Sequence, residues 1–179
     1  SLVPSPMKLV STLVEQASTE VVAFGAKDLE FLDLTLETKG YLEPKKLEAV
    51  GLRLKGGASS FARVALYSLP SPKAYKDRKL LGEVTSPASD EVTLTLTEPL
   101  ELKEGKSYYY LTADLTETVE AGVALDLALP SLTLSGEQTA VASPDPDGSR
   151  EARRFYSMKS GEETISVSAP ITFYDDGGA

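Results

Sequence analysis

The run EVTLTLT, residues 91 to 97, alternates leucine or valine with threonine without a break. In a strand this places Val92, Leu94 and Leu96 on one face and Thr93, Thr95 and Thr97 on the other, the pattern of a half-buried β-strand with one apolar side. The same period of two recurs along the chain. Leu32, Leu34 and Leu36 oppose Phe31, Asp33 and Thr35; Val50, Leu52 and Leu54 oppose Ala49, Gly51, Arg53 and Lys55. Ala62, Val64 and Leu66 oppose Phe61, Arg63, Ala65 and Tyr67, and Val123, Leu125, Leu127 and Leu129 share a face until Pro130 interrupts it. Helical spacing competes chiefly in KKLEAVGLRL, where Gly51, the following Gly56-Gly57 pair and the alternation favour the strand.

Turn signals separate these runs at fairly regular intervals: Lys39-Gly40, Gly56-Gly57, LPSPK, SPASD, KEGKS, LSGEQ and DPDG. About nine or ten one-sided strands joined by polar turns predict an all-β fold, an antiparallel β-sandwich, because each apolar face needs a second sheet to cover it. With 179 residues, one domain can bury roughly 70% of its unfolded surface. Residues 1–6 read as a tether, 7–152 as the sandwich, and 153–179 as a linker leading into a following domain or an extra strand. The ending ITFYDDGGA reads as a cut before another domain, and the opening SLVPSP as a mature or trimmed start.

The charge balance and the missing residue types narrow the chemistry. Eighteen basic against 27 acidic side chains give a net charge of −9, which repels phosphate backbones, so nucleic acid is not an expected partner. No apolar run is long enough for a transmembrane helix. Histidine and cysteine are both absent, which removes the usual partner of a serine nucleophile, the thiolate nucleophile and the commonest metal ligands. No catalytic set and no cofactor are expected.

Five further stretches carry a family likeness. They are Thr38-x-Gly40 with Leu42-x-Pro44 just after; VALYS at residues 64 to 68; and Leu102-x-x-Gly105-x-x-Tyr108-Tyr109-Tyr110-Leu111 running to Asp114. The last two are Gly122-x-x-x-Asp126 and Ser143-Pro144-x-x-x-Gly148-x-Arg150. In this order and spacing they resemble the N-terminal module that precedes the propeller in bacterial exo-sialidases, over about residues 8–152. The resemblance implies a jelly-roll-like sandwich in an exported bacterial protein (secreted, periplasmic or on the cell surface), associated with carbohydrate-active enzymes and often regarded as carbohydrate-binding. It implies no catalysis within the segment. The S-x-D-x-G-x-x-W boxes of the propeller itself cannot be present in a chain without tryptophan.

The expected function is therefore a noncatalytic accessory module that binds glycan, sialylated or galactosylated, next to a sialidase or another carbohydrate-active or adhesive protein. The alternative is a structural or interaction domain that orients its neighbour. Among the three consecutive tyrosines, alternation sends Tyr109 to the core with Leu111 and Ala113, and Tyr108 is a candidate corner tyrosine. Tyr110 shares the more polar face with Thr112 and Asp114; it either offers its ring to a sugar or lies under a loop or a following domain. In SPKAYKDRK, Arg78 beside Tyr75 could grip a sugar carboxylate through two parallel hydrogen bonds, or the whole basic run could be solvated. Arg150, Arg153 and Arg154 read as neutralising nearby acids and solvating a linker. Asp145 with Asp147, and Asp175 with Asp176, are either turn residues or oxygen ligands for calcium. Glu117 with Glu120, and Glu162 with Glu163, are exposed carboxylates or, less simply, an acid and base pair.

Overall fold

Each alternating segment is a strand in the computed structural model, which describes residues 4–160 and 163–169, with side chains to Arg154. The strands are β1 (Lys8–Gln16), β2 (Val22–Ala23), β3 (Leu29–Lys39), β4 (Lys46–Lys55), β5 (Phe61–Leu69) and β6 (Lys79–Thr85), then β7 (Glu91–Glu101), β8 (Gly105–Leu115), β9 (Ala124–Leu134), β10 (Glu137–Ala140), β11 (Arg150–Ser160) and β12 (Glu163–Ala169). Twelve strands exceed the expected nine or ten partly because β2 and β10 have two and four residues, too few to show a period. Helix among the described residues is limited to single turns at Ala58–Ser60 and Tyr75–Asp77.

The strands form the expected sandwich. One sheet has the order β1-β3-β8-β5-β6; the other runs β12-β11-β9-β4-β7, with β10 added beside β9 and β2 beside β11. Pairing is antiparallel apart from the short β2–β11 contact and an isolated Pro6–Leu42 bridge. Between the sheets Leu34, Leu36, Val50, Leu52, Val64, Leu66, Leu94, Leu111, Leu127 and Tyr109 pack into one core. Strand β11 continues the second sheet through residue 152, the expected end of the sandwich, to Ser160. The ITFYDDGGA ending, Asp175, Asp176 and Glu162 lie outside the described residues, as does the side chain of Glu163.

Two aromatic residues sit on the opposite face from the one alternation gave them. Phe31 was paired with Asp33 and Thr35, and Phe61 with Arg63 and Tyr67; both are core residues, with ring centroids 6.1 Å apart. The register between β3 and β8 shifts between Glu30 and Leu32, and that between β5 and β8 between Phe61 and Arg63. A bulge adds a residue to one strand and reverses the facing of what lies on one side of it. A third shift, between Gly51 and Arg53 on β4 against Ser131 and Ala128 on β9, passes through Pro130. The proline lacks the N–H that a regular ladder position requires, so it occupies the irregularity. Strand β9 continues beyond it with the opposite phase, and Leu132 and Leu134 enter the core alongside Leu125, Leu127 and Leu129.

Candidate functional site

Register assembles the tyrosines of the first sheet. Tyr110 on β8 lies directly between Asp33 on β3 and Tyr67 on β5, and Asp33 in turn pairs with Glu15 on β1. All four belong to the outer face, opposite the core, where Tyr67, Tyr110, Ala65 and Leu69 form a second buried cluster with Tyr75 and Tyr108 packed against it. The cover is the loop between β5 and β6. It is drawn tight by main-chain bonds from Ala74 N–H to the Ser71 carbonyl (3.2 Å) and from Tyr75 N–H to the Lys73 carbonyl (2.8 Å), with Lys73 at a left-handed φ of 59°.

The structure thus brings Tyr110, Tyr75 and Arg78 together, but as partners of one another. The Tyr75 and Tyr110 rings lie 4.2 Å apart at 31°, and Tyr110 retains only 3% of its surface. The Tyr75 hydroxyl donates to the Asp33 carboxylate, 2.9 and 2.8 Å from its two oxygens. Arg78 places its guanidinium 5.1 Å from the centre of the Tyr67 ring, bonds Asp28 at 2.7 Å and donates to the Tyr75 carbonyl at 3.0 Å. Of the readings open for Tyr110, it lies under a loop. The cavity beneath this strap is about 40 Å³, lined by Glu15, Asp33, Thr35, Lys73 and Tyr108 among others, room for a water molecule and not for a sugar ring. Tyr109 is core, as expected, with its hydroxyl on Ser107 at 3.0 Å. Tyr108 packs in the outer cluster and, among the described residues, makes no side-chain hydrogen bond of the corner type.

Burial pushes the Asp33 carboxyl up, while the Tyr75 hydroxyl and Lys73 pull the other way; burial and the facing Asp33 raise Tyr75. Because the folded carboxyl lies above its unfolded value, Asp33 contributes stability that grows as pH falls through the carboxylate range and is lost as pH rises. Tyr75→Phe removes the hydrogen bond that lowers Asp33, so the carboxyl midpoint followed by NMR is expected to move further up. A midpoint that stays put or falls would show that the hydroxyl does not support the charge.

A roomier depression than the cavity beneath the strap lies on the outer face of the second sheet. Gly51 on β4 pairs with Thr93 on β7 on one side and Ser131 on β9 on the other. A Cβ on Gly51 would fall 2.3 Å from the Ser131 hydroxyl, so glycine is what leaves this floor open. The resulting groove has a volume of about 550 Å³, with Arg53, Glu91, Thr93, Ser131 and Gln138 along it. Gln138 donates to the Ser131 hydroxyl at 3.2 Å. Arg53 meets Glu91 at 3.4 Å with both side chains more than half exposed, a weak pairing that leaves the guanidinium accessible. None of the candidate binding residues read from the sequence, Tyr110, Tyr75 and Arg78, lines this groove. Its one signal there was Gly51 within a strand, read only as evidence against a helix.

The basic group at the start of β11 is structural in part. Arg150 is 6% exposed and donates from Nε to the Glu20 carbonyl (2.9 Å) and from Nη1 to the Glu30 carbonyl (2.8 Å), with the Phe31 ring 5.8 Å away. The solvated-linker reading of Arg150 is therefore corrected: its fork of donors ties β11 to β3 beside the Phe31 bulge. Arg153 pairs with Glu151, and Arg154 lies 4.9 Å from the Phe24 ring. Asp145 pairs with Lys55, and Glu117 and Glu120 are exposed. Among the described residues no three acidic side chains gather at metal-binding distance.

Comparison with known proteins yields a likeness of fold. No protein-family model matches the chain, and no curated protein does. Among solved structures, the Hadza microbial sialidase Hz136 superposes with a TM-score of 0.61 at 12% identity, over 79% of this chain and 31% of that one. The chain thus spans about a third of that sialidase's length. The solution structure of CaCohA2 from Clostridium acetobutylicum aligns over 85% of this chain and 92% of its own at 15% identity, with a TM-score of 0.31.

Proposed function

We propose that this chain is a noncatalytic β-sandwich accessory module of an exported protein, and that it binds glycan in the groove around Gly51. The observation that carries this reading is the groove itself: a volume of about 550 Å³, within the range of small-ligand sites, built on rigid strands and lined by side chains that donate and accept hydrogen bonds. Sugars present hydroxyls in just this chemistry, and Arg53 adds a guanidinium suited to a carboxylated residue. The fold shared with part of a sialidase is consistent with a carbohydrate-active context.

Calorimetric titration with sialylated and galactosylated oligosaccharides is the test. Gly51→Val, which fills the floor, is expected to abolish binding, and Arg53→Ala with Gln138→Ala to weaken it about tenfold, the equivalent of 1.4 kcal/mol. Absence of binding by the unmodified chain at millimolar ligand would sink the proposal; weakening by Tyr75→Ala or Arg78→Ala instead would return the site to the strap. A second reading, a domain that packs against and orients a neighbour, is favoured by the apolar corner at Tyr41 and Leu42, 55% and 40% exposed. Oxidative footprinting of Tyr41, with and without a fused neighbouring domain, separates the two.

A further inference from the structure

Asp126 holds an unusual position. Strand β9 directs Leu125, Leu127 and Leu129 into the core, so Asp126 points outward from the second sheet. It is nevertheless only 1% exposed. The cover is the loop 141–149, folded back over β9: Val141 N–H bonds the Pro130 carbonyl at 3.0 Å and Leu129 N–H bonds the Pro144 carbonyl at 2.9 Å. Lys55, directly opposite Asp126 on β4, reaches over to Asp145 in that loop. Gly148, at a φ of 127°, sits so close to the end of β1 that a Cβ there would be 2.9 Å from Thr19 and 3.0 Å from Gln16.

Inside this cover, neither carboxylate oxygen of Asp126 has a hydrogen-bond partner among the described residues, and neither does the side-chain oxygen of Gln16. A buried carboxylate without partners is among the costliest arrangements a fold can hold, and it persists where a proton, a counter-charge or a metal completes it. The nearby ammonium, Lys55, is engaged by Asp145.

We propose that Asp126 anchors a site for an oxygen-ligated divalent cation, closed by the loop 141–149 and shared with Gln16 and Asp145. Only two of these side chains are carboxylates. Calcium accepts such a mixture, taking six to eight oxygens from carboxylates, amide side chains, main-chain carbonyls and water. The Asp126 oxygens, the Gln16 side-chain oxygen and the Asp145 oxygen not held by Lys55 supply oxygen alone, with water completing the shell. With no histidine or cysteine in the chain, the donor set favours a hard cation over zinc or copper.

Thermal unfolding of the full chain in EDTA and in millimolar calcium chloride tests the proposal. Calcium at about a hundredfold above its Kd is expected to raise Tm by about 5 °C or more. Asp126→Asn keeps the side-chain shape without the charge, so it is expected to fold and to lose that increment, and Asp145→Ala to reduce it. Calorimetric titration of calcium chloride into the unmodified chain gives a second readout that does not depend on any variant folding. Equal Tm in EDTA and calcium, no calcium uptake in the titration, or an Asp126→Asn variant that keeps the whole increment would each overturn the assignment.

Discussion

Arg150→Ala is expected to destabilise the protein by about 3–4 kcal/mol, read as a fall in Tm of about 10 °C. The guanidinium serves the Glu20 and Glu30 carbonyls at once. Removing it leaves two carbonyls without this donor, each costing on the order of 1–3 kcal/mol if they stay dry. The desolvation of the guanidinium works against this, because burial already pulls Arg150 below its usual range. Arg150→Met, which refills the volume without a charge, is therefore expected to lose less than alanine. Arg150→Lys is expected to recover only part, since an ammonium is a point donor and cannot span both carbonyls as the planar fork does. Denaturant titration of the three variants decides it: an alanine variant within about 1 kcal/mol of the parent would mean that water takes over both carbonyls.

Tyr110→Ala is expected to cost a similar amount, about 3–4 kcal/mol, by opening a cavity beneath Tyr75 and removing an aromatic pair. The ring is buried between Tyr67 and the strap, so its loss leaves the loop without the surface it packs on. Limited proteolysis should then cut the Lys- and Arg-rich segment SPKAYKDRK faster, while the glycan binding proposed for the groove around Gly51 is expected to be unaffected. Unchanged cleavage of that segment would show that the strap is held by Asp33 and Asp28 alone. Loss of glycan affinity in a folded Tyr110 variant would count against the groove.

What the sequence disclosed and what it withheld follow from range along the chain. Leu94, Leu96, Leu111 and Tyr109 are core because alternation is a local property, and local periodicity survives wherever a strand is regular. Phe31 and Phe61 escaped it because a bulge depends on the partner strand, and nothing within FARVALYS indicates which residue of β8 it will face. Tyr110 was placed on the correct face, outward, but its burial comes from a loop about thirty-five residues earlier in the chain, invisible to any local pattern. Asp126 was hidden by the same rule in reverse: an Asp between leucines reads as solvent-facing, and only the fold-back of loop 141–149 covers it. The groove needed three strands, β4, β7 and β9, to come side by side before Gly51 became a floor.

The strap over the first sheet makes the two broad surfaces of the sandwich inequivalent. Lys73, Lys76 and Lys79 are exposed on the strap side, whereas the groove with Arg53 and Gln138 opens on the far side of both sheets. A molecule held by its strap, through those amines or against an acidic support, presents its groove outward; one lying groove-down hides it. If the groove binds ligand as proposed, orientation on a surface, and not only affinity, decides how much of it the protein reaches.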